Sequence, residues 1–240
     1  PPEPTMPPPV EDLLAGPGSA PAPSIVRISP DTLRADFLGC YGHSKPTSPA
    51  IDGLAADGVR FEFCSAHAPL TASSCASIMT GFLPHETQVY YNDDPLSDDL
   101  ITLAELLTRH GYRCGGVSCS FVLSPTGGWH QGFEVFENEL VSSETNRESV
   151  LENVAEHGTD LAIELLDELS EDRFFLWVHY QDPHGPYTPP DDFGAMFRDP
   201  DSEPRKLPIN GAANGKGGIP GYQRLGNHRD YHYYVSQYEG

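Results

Sequence analysis

The sequence predicts an α/β fold in which helices cover both faces of a central, mostly parallel sheet. Two apolar runs of strand length, 24–29 and 174–180, each end in polar residues. A long amphipathic stretch over 150–169 carries apolar residues at helical spacing, as expected of a helix that covers a sheet. Strands that alternate with helices are typical of parallel sheets, since each parallel connection needs a long crossover. The chain of 240 residues is long enough to bury one such core.

Further elements follow the same alternation along the chain. The predicted strands span 24–29, 59–64, 112–119 and 174–180, and the predicted helices span 49–57, 74–80, 100–107 and 150–169. Ser73 or Ser74 is the expected N-cap of the second helix, because hydroxyl oxygens accept hydrogen bonds from the free N–H groups of a first turn. Gly81 is expected to end that helix. Residues 189–230 are rich in Pro, Gly, Asn and Asp and should form a long surface excursion.

The first residues of the chain have a different composition from the rest. Nine of the 24 prolines lie within residues 1–23, which we predict to be a disordered leader or linker before a folded domain over 24–240. This stretch lacks the apolar core of a signal peptide, and the chain begins at Pro1 without an initiator Met. We therefore expect a fragment of a longer protein. A periplasmic or extracellular location stays open if a signal peptide lies upstream.

The net charge of the chain restricts the kinds of partner that it is expected to bind. Asp and Glu number 35 against 14 Lys and Arg, which gives a formal net charge of −21 at pH 7. This balance argues against nucleic acid or an anionic membrane as a partner. No apolar run approaches the roughly 20 residues that cross a bilayer, so we expect no membrane segment. Five cysteines without paired spacing do not indicate a disulfide or zinc framework.

Three groups of polar residues stand where α/β folds place their sites. Asp31 follows the strand at 24–29, and His179 and His184 lie at and after the end of the strand at 174–180. Thr71 precedes the helix predicted over 74–80, where free N–H groups and the helix dipole favour an anion. A carboxylate, a hydroxyl and imidazoles are therefore expected at the ends of neighbouring elements. Asp31 is a hard oxygen ligand suited to Ca²⁺, Mg²⁺ or Mn²⁺.

These segments together resemble the sulfatase family of the alkaline phosphatase superfamily. The resemblance is carried by DTLRADFLGCYG at 31–42, by the run from 71 to 81, and by WVHYQDPHGPY at 177–187. A further match lies in IDGLA and GVRF between 51 and 61. The motifs occur in the order in which the family has them, and they cover about residues 24 to 240. Chance similarity over so many motifs is not expected.

The resemblance implies a metal-dependent hydrolase of sulfate esters with an alkaline-phosphatase-like fold. In that reading Asp31 and Thr71 bind a divalent metal, which is Ca²⁺, Mg²⁺ or Mn²⁺. Thr71 is also the nucleophile, His184 contacts the anion or the leaving group, and His179 binds substrate. The implied partner is a sulfate or phosphate ester of a small molecule, a glycan or a lipid.

The sequence departs from the family at its signature, C/S-x-P-S-R, whose Cys or Ser becomes formylglycine. Alignment on the Thr80-Gly81 pair puts Thr71 at the nucleophile, Ser73 at the proline and Cys75 at the arginine. Threonine is not a substrate for that conversion, so no formylglycine is expected. Cys75 cannot supply the fixed positive charge of the arginine that it replaces.

These departures leave alternatives open. An unmodified Thr71 alkoxide is what the phosphatase and phosphoglycerol-transferase branches of the superfamily would use, so a phosphate-ester hydrolase or transferase is an alternative function. A non-catalytic member that keeps the fold is a second alternative. Thr32 stands where the family often has a second metal-binding Asp, and the remaining ligands are expected beyond Gly240. We therefore expect a C-terminally incomplete fold, inactive on its own.

Overall fold

The computed structural model of the protein describes residues 22–190, 192–210 and 218–240. The predicted leader over 1–23 lies almost entirely outside the described residues. The strands are, in chain order, β1 (Ile25–Pro30), β2 (Arg113–Ser118), β3 (Val135–Glu137), β4 (Ser142–Glu144), β5 (Arg147–Glu152), β6 (Phe174–Tyr180), β7 (Ile209–Asn210) and β8 (Ile219–Pro220). The helices are α1 (Pro49–Asp57), α2 (Thr71–Thr80), α3 (Pro84–Thr87), α4 (Leu103–Arg109), α5 (Ala155–Leu169), α6 (Phe193–Met196) and α7 (Tyr231–Glu239).

The central sheet is parallel, which confirms the predicted fold class. Its strands lie in the order β1, β6, β2 and β3, and every neighbouring pair is parallel. In β6, Phe175 and Trp177 pack into the core with residues of α2 and α4, whereas Leu176 and Val178 pack against α5. The alternation follows from the pleat of a strand, which sends successive side chains to opposite faces. Helices therefore cover both faces of the sheet.

The predicted strand over 59–64 is wrong, because this segment has no regular structure. Its alternating apolar residues are instead in solvent: Val59, Phe61 and Phe63 are 83%, 68% and 94% exposed. Alternation predicts a strand, but a strand forms only where another strand accepts its hydrogen bonds. In the part of the chain that the structure describes, no strand pairs with this segment.

The helix predicted over 150–169 also begins later than expected. Arg147–Glu152 forms β5, which pairs with β4 in an antiparallel hairpin, and α5 begins only at Ala155. The apolar residues at 150 and 151 belong to that hairpin and not to the helix. Other predicted elements are confirmed within a few residues, including the helix over 49–57 and the strand over 174–180.

The predicted excursion over 189–230 contains only short elements in its described parts, namely α6, β7, β8 and a 3₁₀ turn over Gly221–Gln223. It leads into α7. The last turn of α7 makes hydrogen bonds to the segment that follows β1. None of the helices in the described residues combines the length and apolar character that a bilayer-spanning segment requires.

Candidate active site

Asp31 stands at the carboxyl end of β1, where the chain turns sharply out of the sheet. Its N–H donates to the Tyr180 carbonyl at 2.9 Å and so extends the pairing of β1 with β6 by one residue. The next residue, Thr32, has a φ of +56°, an unusual conformation for a β-branched side chain. The Tyr238 hydroxyl in α7 donates to the Thr32 carbonyl and accepts from the Arg34 N–H, both at 2.8 Å. These contacts fix the turn that presents the Asp31 carboxylate.

Thr71 is the first residue of α2, three positions earlier than the sequence predicts. Neither Ser73 nor Ser74 is the N-cap; that position belongs to Leu70, whose side chain has no oxygen. A distant residue replaces the missing cap, since the Asn92 side-chain oxygen accepts from the Ala72 N–H at 3.1 Å. Because this acceptor is 20 positions away in sequence, the local pattern of residues did not reveal it.

The two predicted residues Asp31 and Thr71 meet. Thr71 Oγ1 donates to Asp31 Oδ2 at 2.9 Å. The N–H groups of Thr71 and Ser73 find no acceptor among the described residues, as expected for a first helical turn. They point, with the positive end of the helix dipole, towards the region of this hydrogen bond. The site thus presents a hydroxyl group beside donors that suit an anion.

His179 lies near this pair on the neighbouring strand and is only 3% exposed. Burial lowers the pKa of His179 to about 4, although the nearby Asp31 carboxylate favours the charged form. The imidazole is therefore neutral at pH 7. Its Nδ1 lies 3.2 Å from Ser29 Oγ, which in turn accepts from the Trp177 indole N–H at 2.9 Å.

These hydrogen bonds favour one tautomer of His179. With the indole N–H directed at the Ser29 oxygen, the serine hydrogen is free to point at His179 Nδ1. The alternative acceptor, the Val178 carbonyl, is 3.4 Å away. The imidazole proton then resides on Nε2, a buried atom that has no partner in the described part of the protein.

His184 follows β6 on a turn in which its N–H donates to the Gln181 carbonyl at 2.9 Å. The residue is partly buried and lies close enough to Asp182 to oppose the upward shift that burial imposes on the pKa of that carboxyl. Its side chain makes no hydrogen bond to Thr71, Asp31 or His179. The structure therefore brings Asp31, Thr71 and His179 together and leaves His184 on a loop at the same end of the sheet.

The oxygens of Asp31 and Thr71 are chemically suited to a hard dication such as Ca²⁺, Mg²⁺ or Mn²⁺. They offer one carboxylate and one hydroxyl. Elsewhere in residues 22–190, 192–210 and 218–240, no group of three His, Cys, Asp or Glu side chains is placed to hold a metal ion. The donor set fits the kind of metal that the resemblance implies, but within the described residues it comprises only these two side chains.

Cys75 does not extend the chemistry of the site. It lies one helical turn beyond Thr71 and is 4% exposed. Burial raises the pKa of its thiol to about 12, and the Asp31 charge acts in the same direction. Cys75 is therefore a neutral thiol and not a nucleophile at pH 7.

Comparisons with known proteins show the family to which the chain belongs. A family model described as Sulfatase matches residues 23–237, nearly the whole described chain. The chain belongs to the sulfatase family. Human Arylsulfatase A is 36% identical to it over 134 residues, which are 52% of this chain and 26% of that protein. The chain therefore spans about a quarter of the length of this curated relative.

Solved structures show that this member of the sulfatase family shares their fold. The structure of BT4656 in complex with its substrate D-glucosamine-2-N,6-O-disulfate matches with a TM-score of 0.64 and 25% identity, over 77% of this chain and 40% of that one. The phosphonate monoester hydrolase of Agrobacterium radiobacter matches with a TM-score of 0.66 and 20% identity, over 91% and 56% of the two chains. The expected alkaline-phosphatase-like arrangement is thereby confirmed.

Proposed function

We propose that the protein hydrolyses sulfate esters and that Thr71 is its nucleophile. The observation that carries this proposal is the hydrogen bond from Thr71 Oγ1 to Asp31 Oδ2, at the start of a helix, in a chain of the sulfatase family. A free threonine hydroxyl is a weak nucleophile and needs a base or a metal beside it. Asp31 is the residue in place to provide either.

Each residue of the site has its own role in the proposed reaction. Thr71 Oγ1 forms a bond to the ester sulfur while the bond from sulfur to the alcohol oxygen breaks, and the Thr71 proton leaves along its hydrogen bond to Asp31. The departing alcohol takes a proton from protonated His184. Water then attacks the sulfur of the Thr71 sulfate and gives a proton to the neutral His184 imidazole, while the bond from sulfur to Thr71 Oγ1 breaks. The Thr71 oxygen takes back the proton held by Asp31, so hydrogen sulfate is released and the starting state is restored. The free N–H groups of α2 and the Nε2–H of His179 stabilise the anionic oxygens.

A divalent metal would be held by Asp31 and Thr71 in this proposal. When bound, such an ion supplies a Lewis acid that lowers the pKa of a coordinated hydroxyl. Ca²⁺, Mg²⁺ and Mn²⁺ all suit these oxygen ligands. The ion would also offset, locally, the negative charge of a chain whose acidic residues exceed its basic ones by 21.

The substrate is proposed to be a sulfate ester of a small molecule, a glycan or a lipid. The site itself would contact the ester group, through the Thr71 hydroxyl and the hydrogen-bond donors around it. A glycan is supported by one relative, BT4656, whose substrate is a sulfated glucosamine.

A second candidate function is the hydrolysis or transfer of phosphate esters. Thr71 keeps an ordinary secondary hydroxyl, and its hydrogen bond to Asp31 needs no modification of the side chain. Such a nucleophile suits attack on phosphorus as well as on sulfur. The charges also suit both esters, since each presents anionic oxygens to the start of α2.

Parallel assays of the full-length protein with an aryl sulfate and an aryl phosphate test the proposal. That protein would be stripped of metal with a chelator and then supplied with Ca²⁺, Mg²⁺ or Mn²⁺ in turn. We expect metal-dependent turnover with the higher kcat/KM on the sulfate. A higher kcat/KM on the phosphate would select the second function, and the absence of turnover on both with every metal would indicate a non-catalytic member of the family.

A further inference from the structure

Arg27 is a charged residue in the apolar run of β1, and it has no partner in the described structure. It pairs in register with Trp177 of β6 and is only partly exposed. Its Nε is buried and makes no hydrogen bond, and no described acid forms an ion pair with its guanidinium. A buried polar atom without a partner is destabilising unless something outside the described chain satisfies it.

Several other basic side chains of the fold do have an acidic partner. Acids outnumber bases by 35 to 14 in this chain, so acidic partners are abundant. Four basic residues elsewhere in the fold have an acidic partner within hydrogen-bond distance: Arg34, Lys45, Arg113 and Arg147. In such a chain, an arginine that stays unpaired in a half-buried position points to an anion that the protein itself does not supply.

The position of Arg27 connects it to the candidate active site. Arg27 pairs with Trp177, whose side chain lies in the core cluster that also contains Cys75. Cys75 lies four residues after Thr71, on the same face of α2. Arg27 therefore lies on the face of the sheet that packs against α2.

A second unpartnered atom lies on the same side of the sheet. Side chains two residues apart in a strand share a face, so Arg27 and Ser29 of β1 face the same way as Trp177 and His179 of β6. His179 Nε2 has no partner either, and its residue is 3% exposed. Two buried nitrogens, an arginine Nε and a histidine Nε2, thus lack a partner among the described residues on the face that carries Thr71.

We propose that Arg27 binds the anionic ester group at this site and supplies the fixed positive charge that Cys75 does not. The ligand class is a sulfate or phosphate monoester, for which a guanidinium offers several donors in one plane. The charge would thus come from the adjacent strand and not from the nucleophile helix. This inference rests on the proposed function for the identity of the ligand, and the binding of an anion can be tested without turnover.

The test measures anion binding and turnover separately in Arg27→Gln of the full-length protein, a change that removes the charge and keeps a polar side chain. The probes are inorganic sulfate and inorganic phosphate, read out as the rise in thermal melting temperature with anion concentration. We expect the wild-type protein to be stabilised by millimolar anion and Arg27→Gln to lose that response. We also expect KM for the ester to rise by about tenfold or more, the usual effect of removing a hydrogen bond to a charged group.

Two further variants make the outcome specific. Arg113→Leu removes an arginine that pairs with Glu134, near the other end of the sheet, and should leave the anion response unchanged. Adding Cys75→Arg to Arg27→Gln should restore part of the response, since it returns a charge to the same region from the helix. Arg27→Lys, which keeps the charge but not the planar donors, should give an intermediate KM.

The outcomes separate this inference from the proposed function. An anion response that depends on Arg27 in a protein without turnover would support the inference and overturn the function. Turnover with an unchanged KM and an unchanged anion response in Arg27→Gln would overturn the inference and leave the function standing. A loss of folding in Arg27→Gln without any anion response in the wild-type protein would mark Arg27 as a packing residue and would also overturn it.

Discussion

Thr71 Oγ1 donates a hydrogen bond of 2.9 Å to Asp31 Oδ2, although the two residues are 40 positions apart in the chain. One stands at the end of a strand and the other at the start of a helix. Each half of the contact is held by a residue far away in sequence, Tyr238 behind the Asp31 turn and Asn92 beside Thr71. The pair is therefore positioned by the tertiary fold, as the roles that we propose for Thr71 and Asp31 require.

The first prediction concerns the nucleophile. In the full-length protein, Thr71→Ala removes one hydroxyl and one hydrogen bond, so we expect kcat on aryl esters to fall by about 10³-fold or more. The cost in stability should be only about 1 kcal/mol, the usual value for a single hydrogen bond. Steady-state kinetics and urea unfolding measure the two effects.

Thr71→Ser is the matched control, because it keeps the hydroxyl and removes a methyl group. It should retain measurable turnover on the same ester. Near-normal kcat in Thr71→Ala would show that another residue attacks the ester, and equal losses in both variants would assign the effect to packing.

The second prediction concerns modification of the signature segment. We expect no formylglycine at Thr71 or Cys75, even when the protein is made together with the converting enzyme. Thr71 has the wrong side chain, and buried Cys75 lacks the proline and arginine that follow the modified residue in the family signature. Mass spectrometry of the peptide over 65–90 measures this. The mass loss of a thiol-to-aldehyde conversion at Cys75 would contradict it and would shift the alignment of the signature.

The sheet and most helices could be predicted from hydrophobic periodicity alone. The strand at 174–180 is a continuous apolar run because it lies in the middle of the sheet and packs on both faces. The segment at 59–64 has an equally clear alternating pattern but forms no strand. Whether a strand forms depends on a partner elsewhere in the chain, and that is not encoded in the local pattern.

Only part of the candidate site could be predicted from the sequence, because some of its residues act through contacts that form only in the folded chain. Asp31 and Thr71 stand at the ends of elements, where position in the sequence is informative. Asn92 and Ser29 act only through contacts made in the folded chain, and neither lies in a motif that marks such a role. Arg27 is recognisable in the sequence as a charged residue inside an apolar strand run. Its significance depends on the lack of a partner in the described structure, which the sequence alone does not reveal.

The third prediction concerns the metal. Asp31→Asn keeps the size of the side chain and removes its charge, so we expect the affinity for Ca²⁺, Mg²⁺ or Mn²⁺ to fall by at least about tenfold. Isothermal titration of the chelator-treated protein measures this affinity directly. Turnover restored by metal should fall in the same variant.

Asp160→Asn provides the control for this measurement. Asp160 is an exposed carboxylate on α5, far along the chain from the site, and its removal changes the net charge by the same amount. Metal affinity should be unchanged in Asp160→Asn. Equal affinity in the wild-type protein and Asp31→Asn would remove Asp31 from the set of metal ligands.

The last prediction is a pH dependence of stability that arises at Glu152, in the hairpin of β4 and β5. Burial raises the pKa of Glu152 to about 7, and the nearby carboxylates of Glu144 and Asp182 act in the same direction. In the unfolded chain a glutamate has a pKa of about 4.3. Between these two values the unfolded state releases the proton and the folded state keeps it, so the free energy of unfolding falls as the pH rises from about 4 to 7.

Glu152→Gln removes this ionisation and should therefore stabilise the fold at pH 8 by about 2 kcal/mol, with little change at pH 4. Urea unfolding of both proteins at the two pH values measures the difference. Glu148→Gln, at an exposed position on the same strand, is the matched control and should show no such dependence. If Glu152→Gln shifts stability equally at pH 4 and pH 8, the Glu152 carboxyl has the same pKa in the folded protein as in the unfolded chain. Burial would then not raise that pKa, and the prediction would be wrong.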